Sequence, residues 1–282
     1  MSKSIFIIGA NSALAKAAVP VLAKDNTITT AGKKDCDVYC DITESVSIPK
    51  GIDTVISFAA AFGGDSDEEI INAERTNVLG ILNICAAAKK AGVKHIINIS
   101  SIFALLDKKS PYYSIYALTK KQGDEVAELY CQVNKIPLTI IRPAQIYGDS
   151  DSFANHQPFF YSMIDKAQNG EDISIYGKND ALRNYIHSAD LAEVINRVTT
   201  ERIEGVYSCM FPSDVTYSQV AHAAQEVFNK GGQIIFLKDK PDIPDNIFTK
   251  DLTIYEKVNY PPQISLEEGI KRIKEYRQGG SK

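Results

Sequence analysis

The chain is poor in the residues that metal and disulfide chemistry need. Its 282 residues include five cysteines, at 36, 40, 85, 131 and 209, and four histidines. Only Cys36 and Cys40 are close, with three residues between them, a spacing that matches no structural zinc site, and the histidines are too scattered for a ligand set. An odd count of irregularly spaced thiols excludes a disulfide scaffold; they read as small core residues kept reduced. No apolar run reaches the roughly 18–20 residues that span a bilayer. The apolar run after Met1-Ser2-Lys3-Ser4 is too short for the core of a secretory signal, so a soluble, cytoplasmic protein is expected. Lys and Arg total 31 against 35 Asp and Glu, a formal charge of −4 spread along the chain. That leaves no broad positive field for nucleic acid or anionic lipid, and a small molecule is the expected partner. There is no internal repeat and no low-complexity segment. Apolar residues at 44% and charged residues at 23% are ordinary globular values, so function must come from arrangement.

What the chain does contain is a regular alternation of two periods. Ser4-Ile5-Phe6-Ile7-Ile8 is a β-branched run ended by Gly9 and followed by helical spacing in Leu14, Ala15, Ala18 and Leu22. Further short apolar runs occur at 27–30, 53–58 and 95–99, without the alternation of a half-exposed strand, as expected for a parallel sheet covered on both faces. A long helix is predicted from Ser66, with Glu69 completing a capping box, to Ala91-Gly92. A second is predicted over 114–134, followed by a strand at Leu138-Thr139-Ile140-Ile141-Arg142. Together these imply an α/β fold with a doubly wound, Rossmann-like parallel sheet. Past residue 148 the texture becomes polar, aromatic and proline-rich. The expected division is a dinucleotide-binding domain over 1–148, to which 181–204 returns, and a smaller α/β substrate lobe over 149–282.

Gly9-Ala10-Asn11-Ser12-Ala13-Leu14-Ala15 lies between first strand and first helix, where backbone N–H groups and the helix dipole can hold a pyrophosphate. Its glycines are thin: Ala13 and Ala15, or Ser12 and Ala15, stand where further glycines would fall, and an ordinary strand-to-helix turn explains the segment about equally well. After the second strand no carboxylate is placed to accept a ribose 2′-hydroxyl. Lys33 and Lys34 stand there instead, which leans the cofactor from NAD towards NADP, although two lysines on a turn can also be merely solvated. Asp41-Ile42, after the third strand, is placed to face an adenine.

Tyr116 and Lys120 are four residues apart on a predicted helix, so both project from one face. With 14 tyrosines a chance Tyr-x-x-x-Lys match is unremarkable. This one, however, follows Asn98-Ile99-Ser100-Ser101 at the carboxyl end of a strand, where ligands sit in open α/β sheets. A phenol of ordinary pKa near ~10 becomes a usable base when an ammonium and an oxidised nicotinamide bring positive charge beside it. Tyr116 would pass the proton and Ser101 would hold the substrate oxygen.

With these residues assembled, the sequence resembles the extended short-chain dehydrogenase/reductase family, in its NAD(P)-dependent epimerase/dehydratase branch acting on nucleotide sugars. The resemblance runs through Ser57-Phe58-Ala59-Ala60, Asn77-Val78-Leu79-Gly80, residues 87–94, Asn98 to Ser101, Tyr116 to Lys120, Arg142-Pro143-Ala144-Gln145-Ile146-Tyr147-Gly148, residues 183–192 and the tail 260–270. It implies Ser101, Tyr116 and Lys120 as the catalytic set, with Tyr116 and Lys120 also meeting the cofactor. It implies Gly9, Asn11, Ser12, Ala13, Leu14, Lys33, Asp41, Ile42, Ala59, Ala60, Asn77, Pro143 and Ala144 along the dinucleotide. Ser101, Gln145 and Arg183 would approach the substrate, Arg183 as a bidentate phosphate donor. Asp190 is expected to cap the helix that follows it, and His187 to be packed.

Some positions depart from the family pattern. Phe103-Ala104-Leu105 replaces the usual Val-Tyr-Gly, Asn184 stands where aspartate is common, and after Arg202 only Arg272 and Arg277 remain, leaving Lys238, Lys240 or Lys250 as a second phosphate contact. Three readings follow. The first is a nucleotide-sugar 4-ketoreductase or epimerase, the second a reductase of another carbonyl, favoured by the scarce arginines, and the third a dinucleotide-binding protein without turnover, favoured by the eroded glycine turn. The family resemblance also implies a homodimer, packed through the helices at 74–91 and 114–133.

Overall fold

A computed structural model of the protein describes residues 2–279. The segment ending at Pro143 supplies β1 (Ser4–Ile8), α1 (Ala13–Leu22), β2 (Thr27–Gly32), β3 (Val38–Tyr39), β4 (Thr54–Ser57), α2 (Asp67–Glu74), α3 (Gly80–Ala91), β5 (His95–Ile99), α4 (Ile115–Asn134) and β6 (Leu138–Pro143). Then come β7 (Gln145–Tyr147), α5 (Pro158–Asn169), β8 (Ile173–Tyr176), β9 (Leu182–Arg183), β10 (Tyr185–His187), α6 (Ser188–Glu201), β11 (Gly205–Cys209), β12 (Val215–Thr216), α7 (Tyr217–Phe228), β13 (Ile234–Leu237), α8 (Thr253–Lys257) and α9 (Leu266–Arg277). The chain divides into two compact units. One takes the chain up to Pro143 with Leu191–Cys209 and Thr253–Tyr260; the other takes Ala144–Asp190, Met210–Leu252 and the chain from Pro261 onward.

The first unit is built on a seven-stranded sheet in the order β11-β6-β5-β4-β1-β2-β3, every neighbouring pair parallel. The sheet grows outward from β1 in both directions, the doubly wound order. Every residue of β4 and β5 is buried. Phe6, Ile8, Val55 and Ile96 pack with Ile81, Ile84, Ala88 and Ala127 of α3 and α4. Their alternates Ile5, Ile7, Ile56 and Ile97 are equally buried, so both faces are covered and the unbroken apolar runs are accounted for. The helix predicted from Ser66 begins there: Ser66 Oγ accepts from Glu69 N–H and the Glu69 carboxylate accepts from Ser66 N–H, completing the capping box. The stretch is not uniform, however. Residues Arg75–Leu79 form a wider π turn between α2 and α3 before Gly92, at φ +73°, closes the run.

The second unit holds three two-stranded pairs: β7 with β10 and β8 with β13, both parallel, and β9 with β12, antiparallel. With α5, α7 and α9 packed on one another it is the smaller α/β lobe expected. Asp190, in the first turn of α6, uses its buried carboxylate to accept from the N–H groups of Gln263 and Ile264, tying down the tail before α9. His187 is buried: its Nδ1 accepts from Ala189 N–H and its Nε2 lies 3.0 Å from Asp149. Arg272 grips the same Asp149 with two nitrogens. Burial would raise the Asp149 carboxyl, but Arg272 and His187 together hold it well below the usual range.

Candidate active site

The turn after β1 has the geometry of a phosphate cradle. Gly9 sits at φ +76°, and a Cβ there would lie 2.8 Å from Ala59 N and 3.0 Å from Ala59 Cα, so both the dihedral and the space require glycine. Ser12 caps α1 through Ala15 N–H, which explains serine at one of the missing glycine positions, and Ala15 is wholly buried against the sheet. Asn11 donates to Lys34 O and approaches Cys36 Sγ, bracing the 33–36 turn.

Beside this turn opens a cavity of about 660 Å³, lined by Gly9, Asn11, Ser12, Lys33, Asp41, Ile42, Ala59 and Ala60 among the expected residues. Gly32, Lys34, Cys40, Thr43, Phe58, Ala61, Phe62, Gly63, Glu69, Asn72 and Thr76 also line it. Lys33 pairs with Asp41 at 2.7 Å. Burial tends to raise the Asp41 carboxyl, but Lys33 and the hydroxyl and N–H of Thr43 hold it below its ordinary value, while Asp41 raises Lys33. Asn83 of α3 donates to the carbonyls of Ile42 and Glu44, fixing this wall. A glycine cradle at a helix N-terminus, a lysine-rich turn and an apolar floor fit the pyrophosphate and adenosine of a dinucleotide.

Other expected cofactor residues lie outside the cavity lining. Ala13 and Leu14 open α1, and Pro143 is a buried strand end. Asn77 has a different task. Its Oδ1 accepts from Ala61 N–H, and its amide donates to Ala61 O and Thr119 Oγ1, so the whole side chain clamps the 59–63 loop to α4. The π turn is what presents Asn77 at this point, and Gly123 of α4 lets the two helices meet there, since a Cβ would strike Asn77 O.

Ser101, Tyr116 and Lys120 converge. Ser101, just after β5, neighbours the Tyr116 phenol and accepts from Phe103 N–H. Lys120 Nζ donates to Ile99 O at 3.3 Å and lies 5.9 Å from the centre of the Tyr116 ring. Phe62, 53% exposed on the cavity wall, stacks on that ring at 5.0 Å and so separates the phenol from the cavity, whose lining includes none of Ser101, Tyr116 and Lys120. Phe103, from the departure noted above, meets the ring edge-on. Burial pushes the phenol up to about 12, against the neighbouring Ser101 hydroxyl, which lowers it. Burial also pulls Lys120 down to about 8, while Asp124 acts in the opposite sense. Phe62 carried no sequence signal beyond being an aromatic between Ala59-Ala60-Ala61 and Gly63-Gly64.

Ser101 apart, the residues expected at the substrate belong to the second unit, as does Ala144, expected along the cofactor. Ala144 is buried; Gln145 donates to Gln157 at 3.0 Å, and its Oε1 is buried without a hydrogen bond. Arg183 is 3% exposed, donates to the carbonyls of Leu182 and Pro244, and lies 4.6 Å from the Tyr217 ring. Asn184 holds the 211–214 turn through Phe211 and Asp214, the carboxylate that also pairs with Lys250.

A parallel doubly wound sheet with serine, Tyr-x-x-x-Lys and a glycine cradle at its carboxyl edge defines the class of Rossmann-fold oxidoreductases of the short-chain type. Residues 5–209 match the profile of the NAD dependent epimerase/dehydratase family. The chain belongs to this family of NAD-dependent, extended short-chain dehydrogenase/reductase-type enzymes. It is 25% identical over 232 residues to a Rhizobium meliloti protein named "Probable UDP-glucuronate 4-epimerase", covering 71% of this chain and 67% of that one. It is 26% identical over 164 residues to CDP-abequose synthase of Salmonella typhimurium, covering 55% and 54%. The fold is similar to that of UDP-glucose 4-epimerase from Thermotoga maritima, solved with UDP-glucose: TM-score 0.79 at 18% identity, over 99% of this chain and 100% of that one.

Proposed function

We propose that the protein reduces or epimerises the 4-position of a nucleotide-linked sugar with NAD(P), through Ser101, Tyr116 and Lys120. The observation that carries this reading is the gathering of Ser101, the Tyr116 phenol and Lys120, whose Nζ lies 5.9 Å from the phenol ring, near a cavity suited to a dinucleotide. The cofactor would supply the hydride acceptor or donor. Ser101 would orient the sugar oxygen, Tyr116 would move its proton, and Lys120 would hold the nicotinamide ribose and favour the ionised phenol. Two substrates separate the outcomes: net loss of nicotinamide absorbance with a 4-keto-6-deoxy sugar nucleotide and NAD(P)H marks reduction, and inversion of a 4-hydroxy sugar nucleotide with no net change in that absorbance marks epimerisation. Tyr116→Phe should keep dinucleotide binding, seen as an unchanged melting shift, and lose at least about 10²–10³-fold in turnover. Loss of both would leave the phenol a structural part only.

The burial of Arg183 and its engagement with two carbonyls favour a second reading, a carbonyl substrate without a diphosphate. Turnover of simple ketones, with none of any sugar nucleotide, would select it. Lys33 and Lys34 on the cavity rim support a modest preference for NADP over NAD, which a comparison of dissociation constants before and after Lys34→Ala would test. Leu129 and Val133, 63% and 71% exposed on α4, support a homodimer through that helix, to be checked by light scattering. The chain contains no helix long and apolar enough to cross a membrane among the described residues, and five free thiols support a cytoplasmic location, testable by fractionation.

A further inference from the structure

Lys120 has an unusual setting for a cation. It is 5% exposed, and its Nζ makes one long hydrogen bond, to Ile99 O. An ammonium taken out of water without a counter-charge loses several kcal/mol of solvation, and it releases its proton instead. The groups facing Lys120 can be named element by element. On α4 these are Tyr116 and Asp124, one turn to either side. From the end of β5 comes the Ile99 carbonyl, and the uncharged ring of Phe62 covers the Tyr116 ring from the 59–63 loop. Among these only Asp124 is an anion.

Asp124 is itself 1% exposed, and it is fixed in place. Its Oδ2 accepts from Arg142 Nε at 2.8 Å, a residue of β6. Its Oδ1 is buried without a hydrogen bond, on a carboxylate that also neighbours Ser100. A carboxylate buried this deeply is costly unless its charge is used, and Arg142 by itself satisfies only one oxygen. The three charges Lys120, Asp124 and the partly buried Arg142 leave a surplus of one positive charge.

We propose that Asp124, clamped by Arg142, is a positioning residue that holds the Lys120 side chain as an ammonium beside Tyr116. It touches neither substrate nor cofactor and acts only through Lys120. Its importance for the reaction rests on the function proposed above; its effect on Lys120 does not. Burial draws Lys120 towards neutrality, and the carboxylate opposes this.

The test is a pH titration of the full chain without cofactor, labelled with carbon-13 at lysine Cε and at aspartate Cγ, with the Lys120 signal assigned through Lys120→Arg. Asp124→Asn, which keeps the shape, should lower the Lys120 midpoint by about one to two pH units, a tenfold to hundredfold change in its proton affinity. Asp124→Glu should restore most of it. A melting temperature that falls while the Lys120 midpoint stays in place would mean a structural role only and overturn the proposal. Should Asp124→Asn fail to fold, the unaltered protein decides: the Asp124 Cγ signal should inflect at the Lys120 midpoint, and a signal flat through that pH refutes the coupling. In turnover, Asp124→Asn should move the alkaline limb of carbonyl reduction to lower pH by the same amount. A shifted midpoint in a protein that reduces no carbonyl would retain the charge role and discard the functional reading.

Discussion

At the scale of single residues, two side-chain environments set measurable limits. Gly9 combines a left-handed dihedral with backbone contact to Phe58 and Ala59, so Gly9→Ala must both adopt a strained φ and push the loop after β4. A destabilisation of about 1–2 kcal/mol is expected, with at least a tenfold loss of dinucleotide affinity because the displaced residues line the cavity, readable by melting and calorimetry. His95 is buried in β5. Thr139 Oγ1 gives its one proton to Ile203 O, so the 2.7 Å contact to His95 Nε2 has the imidazole donating, and Nδ1 is left bare. Burial, reinforced by Lys3 and Arg202, lowers His95 to about 4 from an ordinary value near 6.5. The unfolded chain therefore binds the extra proton first as the pH falls. Stability from this site is complete above about pH 6.5 and is lost between there and pH 4, on the order of 1–3 kcal/mol. Denaturant titrations at pH 7 and pH 4.5 should show that difference, and His95→Gln should flatten it.

At the scale of elements, the sequence carried the outer limits of the two long helical stretches. Ser66 with Glu69 and Gly92 after Ala91 are contacts between near neighbours, so spacing alone locates them, whereas Ser114 marks the start of α4 without a side-chain cap. Ser66→Ala should cost about 1 kcal/mol and speed amide exchange over Asp67–Glu74 while leaving α4 protected. The π turn at Arg75–Leu79 was not legible. It inserts one residue into a helical ladder whose apolar spacing reads continuously, and its cause is distant: Asn77 must reach Ala61 and Thr119 together. The family resemblance implied Asn77 as a cofactor contact; its hydrogen bonds to Ala61 and Thr119 are with distant segments that no spacing shows.

At the scale of the whole molecule, the chain passes repeatedly between its two units, and the passages do not follow local composition. The first unit ends at Pro143, inside the Arg142-to-Gly148 run, before the polar texture that suggested 148. It also recovers Thr253–Tyr260, where Ile254, Tyr255 and Val258 are buried and α8 packs on β11, with the Tyr255 hydroxyl 3.4 Å from Cys209 Sγ. A chain ended at Cys209 would keep every strand of the large sheet and lose this cover. It should melt with lower cooperativity and bind hydrophobic dye, whereas the full chain should melt in one sharp step.

By itself the sequence determined the alternation of strand and helix, the parallel covered sheet, and Tyr116 and Lys120 on one helical face behind a serine at a strand end. These rest on periodicity and on hydrogen bonds spanning a few residues, which any window of sequence contains. Tertiary structure alone decided that Ser101 neighbours the Tyr116 phenol, that Arg142 pairs with Asp124, that Arg183 is engaged by backbone carbonyls, and that Phe62 stacks on the Tyr116 ring. Each joins segments 18 to 61 residues apart, or closer ones across a turn, and depends on the accumulated register of every element between them, which no local pattern encodes.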